Sequence, residues 1–322
     1  MDADGRGGPS PGGVAGAIVL TGPTGAGKSE WAERLAEELP LEVVSVDSAL
    51  VYRGLDIGTA KPTVAVRARI PHHLIDILEP TETYSAGRFV ADCLPLIAAI
   101  RARGRIPLLV GGTMLYLRTL VCGIADLPRG PEELRRALDE RGKREGWPAL
   151  HAELARLDPA AAARIHRNDP QRIQRALEVC YVSGRPLSVL QRDTRSALSG
   201  PLPRWALVPA DRGELHRRIA ERLDRMMERG FLEEVAGLMA RAHLTARHPA
   251  LRTVGYRQLW AHLEGAYGLG EARERTLAAT RQLAKRQITW LRSDRAMRLI
   301  DPTATGAFER WKCELRRELV GP

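Results

Sequence analysis

The chain has 322 residues, 44% hydrophobic and 27% charged, with a formal net charge of +10; that length suits one large domain or two ordinary ones around a substantial core. No apolar run approaches the roughly 20 residues of a membrane-spanning helix, and residues 1–16 are rich in Gly, Pro and Asp without an apolar signal core. This reads as a disordered leader on a cytoplasmic protein.

In chain order, Ala17–Thr21 is a continuous apolar run that ends in a glycine loop, as a buried parallel strand does. A helix is predicted from Lys28 to Leu39, stopped by Pro40, then a second buried strand over Leu41–Val46 and a third over Ile106–Val110. Residues 130–200 read as helical and Arg-rich. One helix there is well marked, with Asp169 as N-cap, Pro170 in the first turn, Gly184 at C′ and an apolar stripe of Ile173, Leu177 and Cys180. Trp205–Val208 and Met297–Ile300 complete the strands. A helix capped by Asp211 should run over Glu214–Arg229 with Leu215, Ile219, Leu223 and Met226 inward, and another over Glu271–Arg292. Strands separated by helices predict a doubly wound parallel α/β sheet of P-loop NTPase type over residues 17–125 and 201–322, with a helical insertion over 126–200.

Charge divides along the same line. Through residue 130 there are 13 Lys and Arg against 14 Asp and Glu; beyond it, 36 against 25. A near-neutral catalytic front joined to a basic, polyanion-binding back is expected. Cys93, Cys122, Cys180 and Cys313 are far apart and read as packing residues or idle thiols, and His243 and His248 have no cysteine pair to make a zinc site.

Gly22-Pro23-Thr24-Gly25-Ala26-Gly27-Lys28-Ser29 matches GxxxxGK[ST] between a strand and a helix. Glycines let successive N–H groups turn toward phosphate oxygens, the helix N-terminus adds to the attraction, Lys28 reaches the terminal phosphate and Ser29 is placed to ligate Mg²⁺. The third strand ends in Val110-Gly111-Gly112-Thr113, without the acid expected of a phosphoryl-transfer enzyme; the second ends in Val46-Asp47-Ser48. Spacing leaves Asp47 equally a metal ligand or a general base.

Several segments together resemble the tRNA dimethylallyltransferases: Gly22–Ser29, Val46–Leu50, Asp56–Pro62, Gly111–Tyr116, Asn168–Glu178, Val254–Gln258 and Arg281–Arg292, in order along residues 17–292. The departures are Ser29 for a more usual Thr and Arg167 where Pro is expected, and no C-terminal zinc finger is visible. The resemblance implies a soluble prenyltransferase. Its phosphate loop, although of the pattern read as ATP- or nucleotide-binding, holds the diphosphate of dimethylallyl diphosphate with Mg²⁺. The acceptor it implies is N6 of adenosine 37 in adenine-rich anticodon loops.

On that reading Asp47 is the general base, and Thr24 and Arg222 assist the diphosphate; Arg222 as a solvated helix residue paired to Glu is the plainer alternative. The resemblance also implies tRNA contact by Asp47, Ser48, Ala49, Leu50, Thr113 and Arg135, and by Gln171, Arg172, Ile173, Gln174 and Arg175 in the insertion. Further contact is implied for Arg252, Thr253, Val254, Gly255, Tyr256 and Arg257, and for Lys285, Arg286, Gln287, Ile288, Thr289, Trp290, Leu291 and Arg292. On helical spacing, Gln171, Gln174 and Arg175 share a face opposite the apolar stripe. Arg281, Lys285 and Arg292 share another, with Leu277, Ile288 and Leu291 on the core side; a merely solvated charged face has the same pattern. A monomer acting on the tRNA anticodon stem-loop is expected. The competing readings are a P-loop kinase of a small molecule or nucleotide and an isopentenyltransferase acting on free adenine nucleotides.

Overall fold

The computed structural model describes residues 16–320 except 124, 126, 195–197 and 199–201. The leader expected over 1–16 lies outside the described residues apart from Gly16, as does the expected end of the insertion at residue 200. The chain divides into two compact units, residues 1–118 with 198–322, and residues 119–197.

The larger unit is built on six parallel strands, β1 (Ile18–Thr21), β2 (Leu41–Val46), β3 (His72–His73), β4 (Ile106–Gly111), β5 (Arg204–Leu207) and β6 (Arg298–Ile300). Their order is β3-β2-β4-β1-β5-β6. Ile18 and Leu20 of β1, Leu41 and Val43 of β2, and Trp205 and Leu207 of β5 point to one side. There they pack on Trp31 and Leu35 of the Lys28–Ala36 helix and on Phe308, Trp311 and Leu315 of the Ala307–Val320 helix. The Ala86–Ala102 helix packs on β2 and β4. This is the doubly wound α/β arrangement of P-loop proteins. β3 has no counterpart in the sequence reading, because two residues give no period.

Three strands finish level. Thr21 and Val46 both pair with Gly111, so the next residues, Gly22, Asp47 and Gly112, emerge side by side at the carboxyl edge of the sheet. The Thr21 hydroxyl donates to the Gly111 carbonyl at 2.8 Å and fixes that alignment. Side chains are excluded where the backbones cross: a Cβ on Gly22 would sit 2.5 Å from the Leu207 carbonyl oxygen, and one on Gly111 2.1 Å from that of Val46. The first helix ends at Ala36 rather than Leu39, because the amides of Glu38 and Leu39 both return to the Leu35 carbonyl and close the last turn.

Asp211 caps the Arg212–Glu228 helix through the amides of Gly213 and Glu214, and Leu215, Ile219, Leu223 and Met226 are all buried. The Leu269–Ser293 helix buries Leu277 and Leu291 but also Gln287, while Ile288 is only partly covered. A further anchor lies in the Phe231–Met239 helix. The Glu234 carboxylate accepts the backbone N–H groups of Asp56, Ile57 and Gly58 at 3.0, 2.7 and 3.2 Å, and the Tyr256 hydroxyl at 2.5 Å. Four donors on one carboxylate hold the 56–58 turn firmly, each such charge-assisted bond contributing about 1.5–3 kcal/mol.

The smaller unit is helical over Glu132–Glu145, Trp147–Leu157, Pro159–Ala162, Pro170–Ser183 and Leu187–Leu190. Asp169 accepts the Arg172 amide, Gly184 takes the left-handed conformation after the last turn, and Ile173, Leu177 and Cys180 join Leu138, Leu150 and Leu154 in one core.

Candidate active site

At the carboxyl edge of the sheet the larger unit has a cleft of about 500 Å³ lined by Thr24, Lys28, Ser29, Asp47, Thr113 and Arg222. Leu223, Met226, Phe231, Val254 and Leu283 supply apolar wall in the same cleft. The phosphate loop therefore opens onto the carboxylate that directly follows β2.

The loop is held from several sides. Lys28 Nζ donates to the carbonyls of Gly22 and Pro23 at 3.0 and 2.9 Å. The Thr24 amide donates to Gln287 Oε1 at 3.0 Å, and Gln287 Nε2 donates to the Gly112 carbonyl at 2.8 Å. Arg222 donates through Nη1 to Thr24 Oγ1 at 3.3 Å and through Nη2 to the Thr59 carbonyl at 3.2 Å. It is thus a cleft residue, not the solvated, Glu-paired arginine of the plainer alternative.

Asp47 Oδ1 accepts the Ala49 amide at 2.8 Å and lies 3.4 Å from that of Leu50. Among the described residues no donor bonds its other carboxylate oxygen. The following turn is pinned by Thr113, whose Oγ1 accepts the Ser48 amide at 3.0 Å.

Electrostatics follow from this crowding. Burial, then the neighbouring Arg222 charge, lowers the Lys28 pKa to about 8 against the opposing pull of Asp47. Arg222 is lowered too, again chiefly by burial and with Asp47 opposing. Two cations beside one acid make the cleft short of negative charge, which a polyanion supplies. Without ligand, the unfolded chain holds the extra proton between pH 8 and 10.5, so stability attributable to Lys28 rises with pH there. An anion reverses this by favouring the charged amine. Metal-free binding of inorganic pyrophosphate should therefore weaken above pH 8, by up to about tenfold per pH unit for one proton. Titration calorimetry from pH 7 to 9.5 measures it, and a flat profile would exclude Lys28 as the titrating contact.

The other expected residues divide by burial. Arg252, Arg257, Lys285, Arg286 and Arg292 are exposed, and none of their side chains has a hydrogen bond or ion pair among the described residues. Other exposed arginines, Arg136, Arg156, Arg212 and Arg247 among them, likewise have no such partner among the described residues, whereas Arg217, Arg218, Arg273 and Arg275 are paired to acids. Thr253, Val254, Gly255, Arg286 and Trp290 line the cleft. In the helical unit Arg135, Gln171 and Arg172 are exposed.

The structure buries the side chains of four of the expected RNA contacts, while Gln174 and Arg175 stay partly exposed and bond within their own unit. Ile173, Tyr256 and Leu291 are at most 1% exposed, so their side chains have no surface to offer RNA. Gln287 is turned inward to the phosphate loop. Gln174 donates to the Arg135 carbonyl. Arg175 donates to the carbonyls of Leu127 and Pro128 and pairs with buried Glu178, so it braces its own unit. Sequence reading missed Thr59, Glu234 and the inward role of Gln287; only the Asp56–Pro62 motif hinted at the first.

A family model described as IPP transferase matches residues 50–294. The chain belongs to that family. Among its relatives are the tRNA dimethylallyltransferases of Alkalilimnicola ehrlichii, 56% identical over 87% of this chain and 88% of the relative, and of Methylococcus capsulatus, 54% identical over 94% and 97%. The fold matches the full-length tRNA isopentenylpyrophosphate transferase of Bacillus halodurans with a TM-score of 0.69 at 34% identity, over 94% of this chain and 96% of that one. It also matches a eukaryotic dimethylallyltransferase described as acting on tRNA, with a TM-score of 0.77 at 29% identity, over 93% and 77%. Family membership thus agrees with the phosphate loop, the parallel sheet and the carboxylate at its edge.

Proposed function

We propose that this chain transfers a dimethylallyl group from dimethylallyl diphosphate to N6 of adenosine 37 in tRNAs with adenine-rich anticodon loops, releasing diphosphate. The observation that carries the reading is the cleft itself: a phosphate loop, a guanidinium, an apolar wall and a carboxylate whose second oxygen has no bonded donor among the described residues line one space. The N6 lone pair is delocalised into the ring. As it forms the C–N bond, the N6 proton passes to Asp47 and the allylic C–O electron pair leaves with the diphosphate. Lys28, the loop and Arg222 face the charge that grows on that leaving group. Leu223, Met226 and Phe231 suit the five-carbon tail.

Mg²⁺ fits this donor set. Among the described residues no group of three or more His, Cys, Asp and Glu is placed to hold a metal, but Mg²⁺ bound to a diphosphate keeps several waters and needs only one or two protein oxygens. Ser29 is the residue that would hold it, and the ion would neutralise diphosphate charge.

The adenine must leave its stack, at a cost of a few kcal/mol that contacts to the loop offset. The exposed cations Arg252, Arg257, Lys285, Arg286 and Arg292 take the RNA phosphates, and the helical unit grips the stem-loop through Arg135, Gln171 and Arg172. The protein acts as a cytoplasmic monomer. Five phosphate contacts give stem-loop affinity a log–log salt slope of about −4. Removing Lys285 and Arg286 together should flatten that slope by about 1.5, which filter binding across salt concentrations measures.

The deciding experiment supplies labelled dimethylallyl diphosphate, Mg²⁺ and unmodified tRNA, and locates the label. Label at adenosine 37 is expected. Preferential labelling of free adenine nucleotides, or phosphate transfer from ATP to a small acceptor, would overturn the proposal.

A further inference from the structure

Gln287 stands out within the Leu269–Ser293 helix. It is 8% exposed, although neighbouring Lys285, Arg286 and Thr289 are solvent-facing. Its amide spans two elements far apart in sequence, accepting from the Thr24 N–H in the phosphate loop and donating to the Gly112 carbonyl just beyond β4. The fit is close: a Cβ on Gly112 would lie 2.5 Å from Gln287 Nε2 and 3.2 Å from the Gly22 carbonyl oxygen. Only an amide of this length meets both partners, since a carboxylate cannot donate to Gly112 and an apolar side chain leaves a part-buried N–H and C=O unpaired.

We infer that Gln287 is a positioning residue for the diphosphate, acting through Thr24 and not through the RNA. Thr24 is the loop residue whose hydroxyl also meets Arg222, so Gln287 sets the backbone on which that cationic contact depends. Because the same rigid helix presents Lys285, Arg286 and Arg292 outward, one element fixes both the loop and the cationic face. The inference rests on the proposed reading of the cleft as a diphosphate site, but its test does not require transfer to occur.

The test compares wild type with Gln287→Leu and with Gln287→Met, which has the same reach and a more adaptable stem. Three quantities are read: affinity for inorganic pyrophosphate, affinity for an anticodon stem-loop, and single-turnover transfer with both substrates saturating. Loss of the amide should weaken pyrophosphate binding by about 5- to 10-fold, roughly one hydrogen bond's worth of preorganisation. Transfer should slow by about 10- to 100-fold as the leaving group is misplaced, with stem-loop affinity unchanged within about 2-fold. Unchanged pyrophosphate affinity, or a loss confined to RNA affinity, would overturn the inference. Should Gln287→Leu fail to fold, Gln287→Met decides by the same criteria. Absence of transfer in wild type with the pyrophosphate effect intact would instead remove the prenyl-transfer reading and leave this one standing.

Discussion

Replacing Asp47 with alanine is expected to slow prenyl transfer by about 10²–10⁴-fold, the range for a positioned general base. The expectation rests on the asymmetry of the carboxylate. One oxygen is occupied by the turn that follows, through the amides of Ala49 and Leu50; the other has no bonded donor among the described residues, and the side chain lines the cleft. Alanine removes both functions, so the loss combines chemistry with a loosened turn. Asp47→Asn separates them. Its amide oxygen keeps the turn but its NH₂ cannot take a proton, so it should fold, bind tRNA and remain nearly as slow as alanine. Measured by single-turnover kinetics, an asparagine variant at the wild-type rate would show that Asp47 shapes the loop only.

Arg222→Gln is expected to lower kcat by about 10²–10³-fold, as for loss of one preorganised donor to a developing anion, with tRNA affinity nearly unchanged. Its guanidinium is fixed at two points, Thr24 Oγ1 and the Thr59 carbonyl, which aims it at the phosphate loop before any ligand arrives. Burial holds its pKa below the usual arginine value, yet a guanidinium stays charged in proteins. The site therefore stores a desolvated cation whose repulsion with Lys28 a diphosphate relieves. Arg222→Lys should recover little, since an ammonium cannot reach both anchors in one plane. Equal losses in kcat and in tRNA affinity would place Arg222 on the RNA instead.

Much of this architecture was legible in residue order because its signals are local. The phosphate loop, the caps at Asp169 and Asp211, and the apolar strands β1, β2 and β4 each depend on neighbours within a few positions. What failed was long-range. Gln287 occupies a helical position that reads as polar surface, yet its partners are Thr24 and Gly112. No periodicity distinguishes a buried, satisfied glutamine from a solvated one. The partners of Arg175 were equally illegible, because the carbonyls that receive it belong to an irregular stretch at Leu127 and Pro128. Asp47 stood between two roles on spacing; the resemblance favoured the base, and an oxygen without a bonded donor among the described residues supports that role.

The tethering of Thr24 bears on how the protein is made. Its amide partner lies 263 residues later in the chain and its hydroxyl partner 198 residues later. During synthesis from the amino end, the glycine loop leaves the ribosome long before either anchor exists. The anchoring of the loop is thus completed only late in translation, and an unfinished chain carries the motif without its two tethers.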